Sequence, residues 1–182
     1  LDHAEILNYR YAKIDSNSKP QIFEDKITSK IMNLNFLNGE VDNMELNGMA
    51  TTHFNVIQDS LIKGLNSVSG DSIFISMHDN LINTMSVYRD ARGIFSPEKN
   101  NAKISSSIKY SANQIIYLVT EEISHLFDNA AIDYDLTLLN AGEIYVDWTQ
   151  NYLEARKKEN IYPSVHNVGE QPTYGELIIY DL

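Results

Sequence analysis

Cysteine is absent from the 182 residues, which excludes disulfides, thiolate metal sites and a cysteine nucleophile. Its absence fits any compartment and is common in exported bacterial proteins that must unfold in transit. Positive charge is scarce: 14 Lys and Arg stand against 25 Asp and Glu, a formal net charge of −11. That balance argues against nucleic acid or an anionic membrane as the main partner, and leaves a basic or metal-bearing one. No apolar run approaches the roughly 18 residues of a membrane span. No G-x-S-x-G, Walker or Rossmann glycine pattern occurs, and no internal repeat or low-complexity segment stands out. The chain begins at Leu1 with no signal-like apolar block, which reads as an excised or processed piece of something longer.

Hydrophobic residues make up 43% and charged residues 21% of the chain, enough for one domain with a real core, or one domain plus a tail. Residues 1–46 read as an N-terminal extension: a loop around "DSNSKPQIFEDKI", then a modest helix from Ile22 to Leu37. Met49, Phe54, Ile57, Leu61 and Leu65 recur at steps of three to five, which predicts a helix entered through Asn47 or Thr51 and ended near Gly70. In "DSIFISMHDN", Ile73, Ile75 and Met77 alternate with polar neighbours, which is strand periodicity. Short strands are predicted around 86–88, 94–95 and 102–107, then a helix capped by Ser111 or Asn113 and running to about Ile132. A second helix opens the remainder, followed by the loop "NIYPSVHNVGEQPT" and the final "YGELIIYDL". The predicted fold is α+β, one short mixed or antiparallel sheet backed by helices, with residues 47–182 as the main domain.

The stretch "VTEEISHLFDNA", 119–130, is one residue away from H-E-x-x-H. On a helix Glu121 and His125 lie one turn apart and face the same way, with Glu122 about 100° round and Asp128 one further turn along. Glu121 and His125 could then hold a metal, Glu122 could work on its water as general base, and Asp128 could brace a ligand's ring N–H. The plainer alternative is that these residues form the wet face of an amphipathic helix whose dry face is Ile115, Val119, Ile123, Leu126 and Ala130. With Ile116, Leu118 and Phe127 that helix is apolar nearly all round, which would place its few polar groups in a cleft.

Taken together, "ARGIFSPEKNNAKISSS", the segment 115–132 and an acidic residue in "YGELIIYDL" resemble the peptidase domain of the anthrax lethal factor family, whose plan the clostridial Pro-Pro endopeptidases share. The resemblance covers about residues 48–182 and implies a zincin-like fold, zinc, and a secreted bacterial toxin or effector, delivered into host cells in some cases. It puts His125 at the second ligand position, Glu122 at the general base, Asp128 at the trailing Asp and Glu176 at the third ligand. The departures are Glu121 at the first ligand, Ser124 before the histidine, and Gly169 where the oxyanion-supporting tyrosine is expected. Tyr162 fills that role if "PSVHNVG" is an insertion; Tyr174 is too close to Glu176.

Two carboxylates and one imidazole would acidify bound water less than two imidazoles, and would shift preference from zinc toward manganese or magnesium. The expected function is a catalytically impaired or inactive domain of peptidase fold, serving as a binding or translocation module with a protein or peptide partner. The alternative is an active metallopeptidase with a Glu121, His125, Glu176 site. His3, His53, His78 and His166 are scattered without ligand spacing. Tyr145, Trp148 and Tyr152, at steps of three and four, read as the packing face of a helix.

Overall fold

A computed structural model describes residues 3–79, 81–99, 104, 106–150 and 152–181. Among them there is no helix. Thirteen strands follow one another: β1 (Ala4–Ala12), β2 (Gln21–Ser29), β3 (Ile31–Leu37), β4 (Glu40–Gln58), β5 (Leu61–His78), β6 (Leu81–Pro97), β7 (Ile108–Leu118), β8 (Ile123–Tyr134), β9 (Thr137–Asp147), β10 (Tyr152–Arg156), β11 (Ser164–Asn167), β12 (Thr173–Tyr174) and β13 (Leu177–Asp181). They form one sheet in the order β1-β2-β4-β5-β6-β7-β8-β9-β10-β13, with β3 on β4 and β11 on β9. Neighbours are antiparallel throughout.

The α+β, zincin-like expectation is therefore overturned. The predicted helix at 22–37 is β2 and β3, that at 47–70 is β4 and β5, that at 111–132 is β7 and β8, and the last falls in β9 and β10. The predicted strand at 72–78 lies within β5, and 86–88 and 94–95 both belong to β6. The prediction at 102–107 lies largely outside the described residues. The boundary drawn between residues 46 and 47 falls in the middle of β4, which pairs with β3 through its first half and β2 through its second.

A recurring bulge bends this sheet. The register slips between Asn47 and Ala50, Tyr88 and Ala91, and Phe127 and Ala130, each time with two residues on β4, β6 or β8 opposing one on the next strand. At these corners Gly48 and Met49, Arg89 and Asp90, and Asp128 and Asn129 all have positive φ. Glycine, Asp and Asn tolerate that left-handed region; Met49 and Arg89 occupy it at some local cost. A bulge kinks its strand and increases its twist. Stacked across neighbouring strands, the bulges make a crease that divides the sheet into two facing leaves.

Apolar side chains point between the leaves. Leu46, Ile75, Val87, Ile115, Leu126, Ile144 and Val146 on one side, and Ala50, Val68, Ala91, Ile108 and Ile132 on the other, are almost wholly removed from water. Each large one contributes about 1.5–3 kcal/mol by its burial. The leaves touch through Thr52 Oγ1, which donates to Met85 Sδ at 3.6 Å, and through the rings of Phe95 and Trp148, 6.4 Å apart.

The creases also expose an internal repeat. Met44, Leu46, Ala50 and Phe54 on β4 are matched by Met85, Val87, Ala91 and Phe95 on β6, 41 residues later, and by Ser124, Leu126, Ala130 and Tyr134 on β8, 39 residues further on. Each unit is a hairpin-forming strand that cannot bury its apolar face alone and does so by stacking on the next.

Candidate functional site

Where the leaves part, a groove remains. It comprises two cavities, ≈ 380 Å³ and ≈ 640 Å³, that share Val56, Asn66, Tyr117 and Glu122 as lining and therefore lie side by side. The smaller is walled by Ile62, Phe95, Ile104, Tyr110 and Trp148. The larger is walled by Ile27, Met44, Phe54, Met77, Ile82 and Met85, with Arg10, Asp25 and Asn55 set into its side. An elongated, mostly apolar cleft with a few convergent polar groups is the usual form of a small-molecule site.

Those polar groups are held firmly. Asp25, 3% exposed, accepts from the backbone N–H of Asn55 at 2.8 Å, from Asn55 Nδ2 at 3.0 Å and from Arg10 Nη2 at 3.0 Å. Arg10 Nε lies 2.5 Å from its other oxygen, and Arg10 Nη2 also donates to the carbonyl of Asn55. A carboxylate taken out of water requires such saturation. At the aromatic end Tyr110 donates to Asn66 Oδ1 at 2.7 Å. Its ring crosses Gly93, where an added Cβ would lie 2.0 Å from Tyr110 Cζ; only glycine leaves that space on the inner face. Trp148 Nε1 donates to the buried Ser124 hydroxyl at 2.8 Å.

Glu122 and Tyr117 stand where the cavities meet. The Tyr117 hydroxyl is pushed up to about 12, first by burial and second by the nearby Glu122 carboxylate. Glu122 has a φ of 54° in the turn linking β7 to β8, fastened by its N–H to Val119 O at 3.3 Å and by its carbonyl, which accepts from the Trp148 N–H at 3.1 Å.

The remaining candidate catalytic and metal-binding residues do not gather at this groove. Glu121 is exposed in the same turn as Glu122. His125 is on β8 between the inward Ser124 and Leu126, so it faces outward, its ring stacked on Phe127 at 5.7 Å and edge-on to Tyr145 at 5.0 Å. Asp128 sits in the β8 bulge and pairs with Lys158 Nζ at 2.8 Å. Tyr162 and Glu176 do meet, through Lys157: its Nζ donates to Tyr162 Oη at 2.7 Å and lies 3.4 Å from Glu176 Oε1. With 123–130 extended, alternate residues take opposite faces, and the one-turn stacking that would join Glu121, His125 and Asp128 does not form. Among the described residues no three His, Asp or Glu side chains are grouped to hold a metal.

Tyr145 and Tyr152, read as part of a helix face, are neighbours 6.4 Å apart, whereas Trp148 turns inward to Phe95. The residues missed by the sequence reading are Arg10, Asp25, Asn66, Tyr117 and the three methionines of the groove. The recurrence of Met44 and Phe54 at Met85 and Phe95 was the signal that could have found its walls.

No family model and no curated protein matches the chain. Among solved structures it is similar to the crystal structure of LptH, the LptA homologous periplasmic component of the conserved lipopolysaccharide transport device from Pseudomonas aeruginosa. The TM-score is 0.59 at 13% identity, over 86% of this chain and 94% of that one. This likeness shows a shared fold, and with the strand at 123–134 it overturns the resemblance to lethal-factor-type zinc peptidases. The expectations of a toxin module and of an active metallopeptidase hydrolase fall with it. No helix among the described residues is long and apolar enough to cross a membrane.

Proposed function

We propose that the chain is a lipid-handling protein that carries the apolar chains of an amphiphile between its two leaves, rather than an enzyme. One observation carries the reading: the groove, whose adjacent cavities of ≈ 380 and ≈ 640 Å³ are lined mainly by aliphatic, methionine and aromatic side chains. An apolar cleft of that size left to water is costly, and alkyl chains recover about 0.8 kcal/mol per buried methylene. The fold shared with a periplasmic lipopolysaccharide-transport component supports the same direction. It suggests an envelope location outside the cytoplasmic membrane and protein partners within a transport device.

The test is titration with the neutral fluorescent probe N-phenyl-1-naphthylamine, on the native chain and on Val56→Trp, which fills the junction of the cavities. The expected result is a saturable rise in probe emission with the native chain and its loss in Val56→Trp, with the β-sheet circular dichroism of the two superimposable. No saturable binding to the native chain, or equal binding to a folded Val56→Trp, overturns the reading.

A further inference from the structure

The polar groups inside the groove also constrain the head of the amphiphile, an inference that rests on the lipid-carrying reading above. Among the described residues, three carboxylates line the two cavities, Asp15, Asp25 and Glu122, against two cations, Arg10 and Lys63. Arg10 is committed: its Nε and Nη2 both engage Asp25, and Nη2 also reaches the Asn55 carbonyl. A phosphate entering there would compete with a buried carboxylate already holding three hydrogen bonds and an ion-pair contact, and would displace it at the cost of stranding a charge.

At the junction the contrast is sharper. Glu122 and Tyr117 line both cavities, and Tyr117 has burial and Glu122 both opposing its ionisation. A carboxylate accepts hydrogen bonds and offers none, so it matches hydroxyl or amide N–H groups and repels an anion. In a half-buried setting that repulsion is screened far less than in bulk water. The formal charge of −11 on the whole chain adds long-range repulsion of the same sign.

We infer that the groove selects an alkyl-chain amphiphile with an uncharged, hydroxyl-bearing head, and that Glu122 sets this preference by accepting hydrogen bonds from that head and excluding phosphate. The ligand class is a neutral glycolipid rather than a phosphorylated one.

The single tryptophan of the chain, Trp148, lines the groove and reports occupancy without a label. Its emission is followed while the native chain and Glu122→Gln are titrated with dodecyl maltoside and with dodecyl phosphate, both below their critical micelle concentrations. The native chain is expected to bind the maltoside saturably and at least about tenfold more tightly than the phosphate, a difference of about 1.4 kcal/mol. Glu122→Gln, nearly isosteric, is expected to narrow that ratio to about threefold or less, with an unchanged thermal midpoint. Equal or tighter binding of dodecyl phosphate overturns the head-group preference while leaving the groove as a lipid site. A preference undiminished in Glu122→Gln overturns the role of Glu122. If neither amphiphile perturbs Trp148, the lipid-carrying reading fails and the preference with it.

Discussion

At one end of the groove, space is bounded by Met44, Met77 and Met85 with aliphatic neighbours, around a polar knot of Arg10, Asp25 and Asn55. At the other it is bounded by Phe95, Tyr110 and Trp148. Thioether chains have three freely turning bonds and a polarizable sulfur, so they refit around occupants of different shape. The rings do the opposite, because Tyr110 is tied to Asn66 and Trp148 to Ser124, and Phe95 and Trp148 pack in a tilted pair. One end yields to its contents while the other keeps a fixed wall, and the Arg10–Asp25 ion pair anchors the yielding end.

Removing that anchor should have the largest effect. Arg10→Ala leaves Asp25 buried with only Asn55 as partner and is expected to lower stability by about 3 kcal/mol in urea denaturation. The pair Arg10→Met with Asp25→Asn should recover much of the loss. A cost below about 1 kcal/mol for the single change would mean that water already reaches Asp25. At the fixed end, Gly93→Ala drives a methyl group into the Tyr110 ring, and a loss of about 2 kcal/mol with altered near-UV circular dichroism is expected. An unchanged aromatic spectrum would show that Tyr110 is not held as described.

Ser124→Ala removes the acceptor of the Trp148 indole and should cost about 1 kcal/mol, with a shift in Trp148 emission. Met77→Leu should cost least, under about 1 kcal/mol, while narrowing the range of amphiphiles accepted. A loss as large as that of Gly93→Ala would erase the distinction between the two ends.

The same sequence that builds these walls disguised them. From Ile73 to Met77 alternation is uninterrupted and the strand is legible. Between Ile115 and Ile132 it is broken twice, by the turn at 119–122 and by the bulge at Asp128 and Asn129. Each break resets the phase, so that Ile115, Val119, Ile123, Leu126 and Ala130 fall at steps of three and four and imitate a helix. The outward residues Ile116 and Phe127 completed the imitation.

Nor was the repeat visible as identity, because the third unit replaces Met with Ser124 and Phe with Tyr134, and the corner residues change from Gly-Met to Arg-Asp to Asp-Asn. Only the spacing and the invariant alanine at 50, 91 and 130 persist. Of the candidate catalytic and metal-binding residues, Glu122 alone lies at the groove. It was picked for the wrong neighbours, as part of a helix that is a turn and a strand. Arg10 and Asp25 gave no local signal, since register across β1, β2 and β4 brings them to Asn55.

The chain's five methionines provide the most direct test of the groove as the binding site. Met44, Met77 and Met85 line it, Met49 is exposed at a corner, and Met32, on β3, packs against the core without lining the groove. Methyl spectra of methionine-labelled protein should, on adding dodecyl maltoside below its critical micelle concentration, show shifts at Met44, Met77 and Met85 with Met32 and Met49 unmoved. Shifts confined to Met32 and Met49, or none at saturating amphiphile, would contradict the account.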